Sequence, residues 1–255
     1  MFEHAPSLEK PRRDHIGPKL MRAVSRGPVE KWLATRAEWM IESSGIQKHL
    51  AEKIQWKDPK KKILGPKEYG GVQVLCIGGG KGHEAEEIDA VLPGSSIRVI
   101  DPHDYYTAPV EKRAKKLAHD TTYLSKENFA EQLEHLPDHS QDGITLFFVL
   151  HHLDPKNYSA MIAELKRVMK PDGKIFVAED LVENPEERAR AKRTDQKLNL
   201  DAIGRTHEFK GIDGWKTFFE EAGFDMRIEK VTEPDPKDKK KVRHGFFVLT
   251  LGNPS

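Results

Sequence analysis

Val74-Leu75-Cys76-Ile77-Gly78-Gly79-Gly80-Lys81-Gly82-His83-Glu84 is the stretch from which the rest of the chain can be read. An apolar run bounded by glycines marks a buried strand, here 72–77. Residues 84–92 then carry helical spacing. Glycine reaches positive φ without steric penalty and lets a ligand come close to the backbone. The helix that follows offers free N–H groups to an anion. Strand, glycine turn and helix together predict a ligand loop at the edge of an α/β sheet. The glycines at 78, 80 and 82 give the spacing G-x-G-x-G, with Gly79 between the first two. A nicotinamide or flavin fingerprint needs G-x-G-x-x-G, and His83 stands where its third glycine belongs. No G-x-x-x-x-G-K-[ST] loop occurs, which counts against a nucleotide triphosphatase.

Downstream, strands alternate with helices. Residues 96–100 form a second strand, stopped by Asp101-Pro102, and a charged helix spans 107–118. A weak third strand at 121–124 precedes a helix at 128–136. The strongest strand is 144–149, polar only at Thr145. Tyr158, Met161, Ile162, Leu165, Val168 and Met169 make a helical stripe, Pro171-Asp172-Gly173 a turn, and 174–178 a fifth strand. The polar stretch 185–203 reads as helix. Trp215, Phe218, Phe219 and Ala222 fall at i, i+3, i+4 and i+7, a core-facing helix that Gly223 ends. Two last strands, 224–231 and 245–251, are joined by a segment too short for a crossover helix, so they pair antiparallel. Continuous apolar strands between amphipathic helices mean a sheet covered on both faces. The expected fold is a doubly wound, Rossmann-like α/β sheet of seven strands. It is mostly parallel, with a C-terminal antiparallel hairpin and N-terminal helices.

Ahead of the glycine loop, residues 1–18 show no periodicity and read as a loose arm. From Pro28, apolar residues at 29, 32, 33, 37, 40 and 41 share one helix face, with Gly45 near the stop. Ile46, Leu50 and Ile54 continue as a shorter helix, and 57–62 reads as a linker. The expected division is an arm with a helical extension over 1–70 and an α/β domain over 71–255. The 255 residues are 37% hydrophobic and 33% charged, with mean hydropathy −0.67. A net charge of +1 provides no global field for nucleic acid or an anionic membrane. No apolar run reaches membrane-helix length, and the N-terminal residues lack a secretory apolar core. A cytoplasmic protein is expected. The single Cys76 rules out an internal disulfide and a multi-cysteine zinc site, and no metal site is read from the sequence.

Over residues 72–251 the chain resembles the class I S-adenosylmethionine-dependent methyltransferases, whose first motif is a strand, an acidic position and G-x-G-x-G. The resemblance implies S-adenosylmethionine as cofactor, with Gly78, Gly79, Gly80 and Gly82 at its methionyl end. It places Asp101, followed by Pro102, on the ribose hydroxyls. A carboxylate can accept two hydrogen bonds from a vicinal diol, each worth about 1.5–3 kcal/mol when charge-assisted. An Asp before Pro at a strand end is equally a turn former. Glu127 or Asn128 falls where the adenine amine is bound, and Val149 and Leu150 where adenine and sulfonium are lined. The string Val149-Leu150-His151-His152-Leu153 is similar to the fourth motif of the small-molecule branch. It is unlike the N/D-P-P-Y/F motif of enzymes that methylate exocyclic amines. His151 or His152 at this edge is a general-base candidate, or else a helix cap or packing residue.

Cys76 departs from the pattern, because the family has an acid there. Glu179-Asp180 follows the fifth strand onto the same edge, either to orient a cationic substrate or to start the next loop. The basic run 237–244 lacks the interleaved aromatics of a single-strand binding platform, so nucleic acid is possible but not favoured. The reading is methyl transfer to a small-molecule acceptor. The alternative is a methyltransferase-like scaffold without catalysis, carrying an RNA or protein partner. Residues 19–56 either fold over the ligand edge or pack on the sheet, and 185–203 is a second lid candidate. The oligomeric state is not read.

Overall fold

The structure is a computed structural model that describes residues 28–50, 72–92, 95–101, 122–125, 129–198, 208–233 and 242–252. Strands β1 (Gln73–Ile77), β2 (Ser96–Asp101), β3 (Thr122–Ser125), β4 (Gln141–Phe147), β5 (Met169–Leu181), β6 (Phe224–Thr232) and β7 (Arg243–Leu251) form one sheet. Their order is β3-β2-β1-β4-β5-β7-β6. The first five run parallel, while β7 lies between β5 and β6 and is antiparallel to both. Chain order reverses between β1 and β4, so their carboxyl ends open the crevice where ligands of such sheets bind. Every residue of β4 is buried, as a central strand covered on both faces requires.

Side chains alternate across the sheet with period two. Val74 and Cys76 face one layer, Leu75 and Ile77 the other. The first layer holds α1 (Pro28–Ser44), α2 (Ile46–Leu50) and α3 (His83–Val91). Ile41, Ile46, Leu50 and Ile88 pack there against Val99, Phe176 and Val248. The second layer holds α4 (Phe129–Leu133), α5 (Tyr158–Val168) and α7 (Ile212–Glu221). Leu165, Trp215 and Phe219 meet Ile144, Val177 and Leu249 there. Helix α6 (Pro185–Leu198) stands at the carboxyl edge, where Ala191 packs with Val182, Phe209 and Val242.

The described part of the N-terminal extension is therefore a layer of the core. Gly45, at φ 68, makes the sharp turn from α1 to α2. Below it, Glu229 of β6 accepts hydrogen bonds from Lys48 at 2.9 Å and Arg227 at 2.8 Å, with His49 at 3.3 Å. The expected Pro171-Asp172-Gly173 turn lies inside β5. Gln141 pairs with Met169 but Gly143 with Lys174, so these residues bulge out of the ladder rather than ending the strand. The helix expected at 107–118 lies outside the described residues. Among the described residues, no helix is long and apolar enough to cross a membrane.

Candidate active site at the carboxyl edge

Beyond Ile77 the backbone passes through Gly78, Gly80 and Gly82 at φ 74, 51 and 80, all left-handed. L side chains adopt that region only under strain, so the sequence must place glycine there. Gly78 N–H donates to Ile100 O at 2.7 Å and Gly80 N–H to Asp101 Oδ2 at 3.0 Å, tying the loop to the end of β2. A Cβ on Gly78 would sit 2.7 Å from Val149 Cγ2, and one on Gly79 2.6 Å from Val99 Cγ1. The loop thus lies flush on the ends of β2 and β4. Asp101 is buried beside it.

Under the loop, Cys76 stands in register with Thr145 of β4. Glu84, from the first turn of α3, is buried against both and accepts a hydrogen bond from Thr145 Oγ1. Burial pushes the Glu84 carboxyl up to about 7, against the opposing pull of hydrogen bonds from Thr145 and Cys76. Burial, and then Glu84, drives the Cys76 thiol well above its usual range, so it stays a neutral donor.

A second cluster follows β4. Phe148 is held at φ 54, a left-handed conformation for a bulky residue, and its N–H donates to Ala178 O at 2.7 Å. The chain then enters the 3-10 turn Leu150–His152. Glu179, fully buried on β5, grips this turn with both oxygens. Oε1 accepts from Leu150 N–H at 2.7 Å, and Oε2 from His151 Nδ1 at 2.5 Å. His151 stacks on Phe209 at 4.7 Å, and its Nε2 faces Asp195 Oδ1 of α6 at 3.7 Å. His152 Nε2 lies 3.2 Å from the same oxygen. Burial by itself would strip the proton from His151, but Glu179, with Asp195 adding to it, holds its pKa well above the usual range.

Asp180 takes a hydrogen bond from His244 Nδ1 at 2.7 Å. The Arg36 guanidinium lies 4.6 Å over the Phe148 ring. Burial lowers its pKa while Asp180 and Asp195 pull it back.

Comparison with known proteins follows the same lines. Residues 75–177 match the family described as a methyltransferase domain. O-methyltransferase elcB of Phaeosphaeria nodorum is 26% identical over 172 residues, which cover 64% of this chain and 38% of that protein. The chain thus spans well under half the length of that curated relative. The structure of YcgJ protein from Bacillus subtilis superposes with TM-score 0.57 at 14% identity, over 72% of this chain and 93% of that one. Phosphoethanolamine N-methyltransferase 2 of Haemonchus contortus was solved with phosphomonomethylethanolamine and S-adenosylhomocysteine. It gives TM-score 0.53 at 15% identity, over 72% of this chain and 49% of that one.

Residues 75–177 thus match a methyltransferase domain, and the fold is one shared with solved methyltransferase structures.

At the carboxyl edge Gly78, Gly79, Gly80, Asp101 and Val149 come together, with Gly82 starting α3. Pro102, Glu127 and Asn128 lie outside the described residues. The Leu150 side chain is in the core, and its backbone N–H belongs to Glu179. His151 is buried, with Glu179 on one ring nitrogen and Asp195 facing the other. His152 is the more open of the pair.

Glu179 and Asp180 are taken up by histidines rather than presented to a cationic substrate. In the basic run, 237–241 lie outside the described residues. Arg243 pairs with Glu233 at 3.1 Å, and His244 turns inward to Asp180. Glu84, Asp195, Arg36 and Phe209 carry no motif. Only the fold brings them to this edge, though an acid in the first turn of the loop helix was a signal for Glu84.

Proposed function

We propose that this protein transfers the methyl group of S-adenosylmethionine to a hydroxyl-bearing small molecule. The observation that carries the reading is the cradle at the end of β1: three left-handed glycines, Gly80 fastened to Asp101, and Gly78 against Val149. Backbone N–H groups of the loop and of α3 suit the methionyl carboxylate. Asp101 lies at the end of β2, in reach of a ribose diol, and Val149 supplies an apolar wall for the adenine side.

Bound there, the sulfonium supplies an electrophilic methyl group, so the chain has only to align an acceptor and exclude water. Helix α6 and the 3-10 turn wall the acceptor side of the edge. The likeness to an O-methyltransferase favours an oxygen acceptor. The scaffold reading leaned on Cys76, but Glu84 returns a carboxyl group to the loop's underside.

Calorimetric titration with S-adenosylmethionine and S-adenosylhomocysteine, with NAD as control, tests the cofactor. The first two should bind and NAD should not. Asp101→Ala should weaken binding about tenfold or more, the worth of a charge-assisted hydrogen bond. Folded protein that binds neither methyl donor nor product would sink the proposal. Methylation of a panel of phenols and alcohols, set against amines, then tests the acceptor class.

A further inference from the structure

Among the described residues, one group of three metal-ligating side chains gathers its donor atoms, all within 4.8 Å of one another: His151, His152 and Asp195. Both imidazole Nε2 atoms face the same carboxylate oxygen, at 3.7 and 3.2 Å. A tetrahedral ion with bonds of about 2.0–2.1 Å sets its ligand atoms roughly 3.3 Å apart. The observed group is a slightly opened version of that arrangement.

Three further features bear on it. Metal-binding histidines almost always give their other ring N–H to a carboxylate or carbonyl, which fixes the tautomer and aims the ligating nitrogen. Glu179 does this to His151 at 2.5 Å, and is itself fixed by Leu150 N–H. Charge is the second. Glu179, Asp180 and Asp195 are each at most 5% exposed, and the cation facing Asp180 and Asp195 from α1 is Arg36. Together these carboxylates outnumber Arg36, and a divalent ion bound in place of a proton on the His151 ring would offset the surplus negative charge. Access is the third. The His152 side chain is 19% exposed, so one side of the group opens outward.

We propose that His151 Nε2, His152 Nε2 and an Asp195 oxygen bind a divalent first-row transition metal, leaving coordination positions open to the acceptor. Two imidazoles and one carboxylate suit zinc, iron(II) or cobalt(II). They do not suit magnesium or calcium, which take oxygen ligands. Val149, two residues before His151, touches Gly78 of the cofactor loop, so the metal sits beside the methyl-transfer centre. An acceptor hydroxyl coordinated there is oriented and made more acidic without a protein base. The ligand set stands on its own residues, and its role toward the acceptor rests on the methyl-transfer reading.

The test uses the full-length protein, stripped with a chelator and titrated with cobalt(II), with visible absorption and calorimetry as readouts. One cobalt per chain is expected, with ligand-field bands that zinc abolishes by displacement. Asp195→Asn and His152→Gln should each lose the bands. Glu179→Gln should weaken uptake by about 10–100-fold. Circular dichroism and the urea midpoint of each variant report whether it is folded, and S-adenosylmethionine titration of the wild type is run alongside. Should Asp195→Asn fail that check, His152→Gln, at the more exposed side chain, decides.

Absence of stoichiometric cobalt uptake by the wild type overturns the site, as does uptake unchanged in the folded variants. Cobalt uptake by a protein that ignores S-adenosylmethionine keeps the metal site and removes the proposed function. The opposite pattern does the reverse.

Discussion

At the scale of a residue, Glu84 and Cys76 share one problem. The strand position beneath the loop carries a thiol, and the carboxyl group arrives from the next helix instead, buried against Thr145. Burial favours its protonated form and raises its pKa from 4.5 to about 7. A carboxyl that binds its proton more tightly when folded contributes stability that is complete below the unfolded value of 4.5. That contribution is lost as pH climbs through 7. The wild type should therefore lose on the order of 3 kcal/mol from this site between pH 5 and pH 8. Glu84→Gln keeps the shape without the charge and should not show that loss. Urea denaturation of both proteins at the two pH values measures the difference. An equal pH response in wild type and variant would refute it.

At the scale of an element, α2 decides whether residues 28–50 are a cover or a wall. It is five residues long and has little helical stability of its own. What holds it is burial: Ile46 and Leu50 are fully enclosed. Leu50 Cδ1 occupies the space a Cβ on Gly143 would need, 2.7 Å away. The absent side chain in β4 is thus the socket for this helix. Leu50→Ala should cost about 2–5 kcal/mol, as for other fully buried leucines. A mobile lid would lose a few tenths at most. Thermal melts of the variant, with S-adenosylmethionine binding measured alongside, tell the two apart.

At the scale of the molecule, two helical layers share a single sheet, and each contains a tryptophan that reports on it. Trp39 of α1 lies edge-on to Phe246 at 5.1 Å, while Trp215 of α7 is fully buried against Phe219. Because β4 and β5 serve both layers, neither layer can leave without exposing the strands beneath the other. In variants that keep only Trp39 or only Trp215, the other tryptophans being Phe, urea transitions should coincide with each other and with loss of ellipticity. An earlier Trp39 transition would mean that α1 unfolds separately.

Much of this was legible in the chain itself. Periodicity located the strands and helices because alternation by two and repetition by 3.6 are written residue by residue. The glycine spacing fixed the loop because no other residue takes its backbone angles cheaply. The short link between the last strands fixed their antiparallel pairing. What could not be read depends on contacts between distant segments. Residues 28–50 had two possible resting places, and only Leu50 in the Gly143 socket and Glu229 under α2 show which one they take. His151 read as a base, a helix cap or a packing residue, and only the fold shows Glu179 and Asp195, remote in sequence, at its two ring nitrogens. Local sequence determined the elements and the loop, since backbone geometry is a short-range property. Tertiary structure alone decided the protonation, the charge balance and the candidate metal ligands, because desolvation and Coulomb forces depend on neighbours brought together in space.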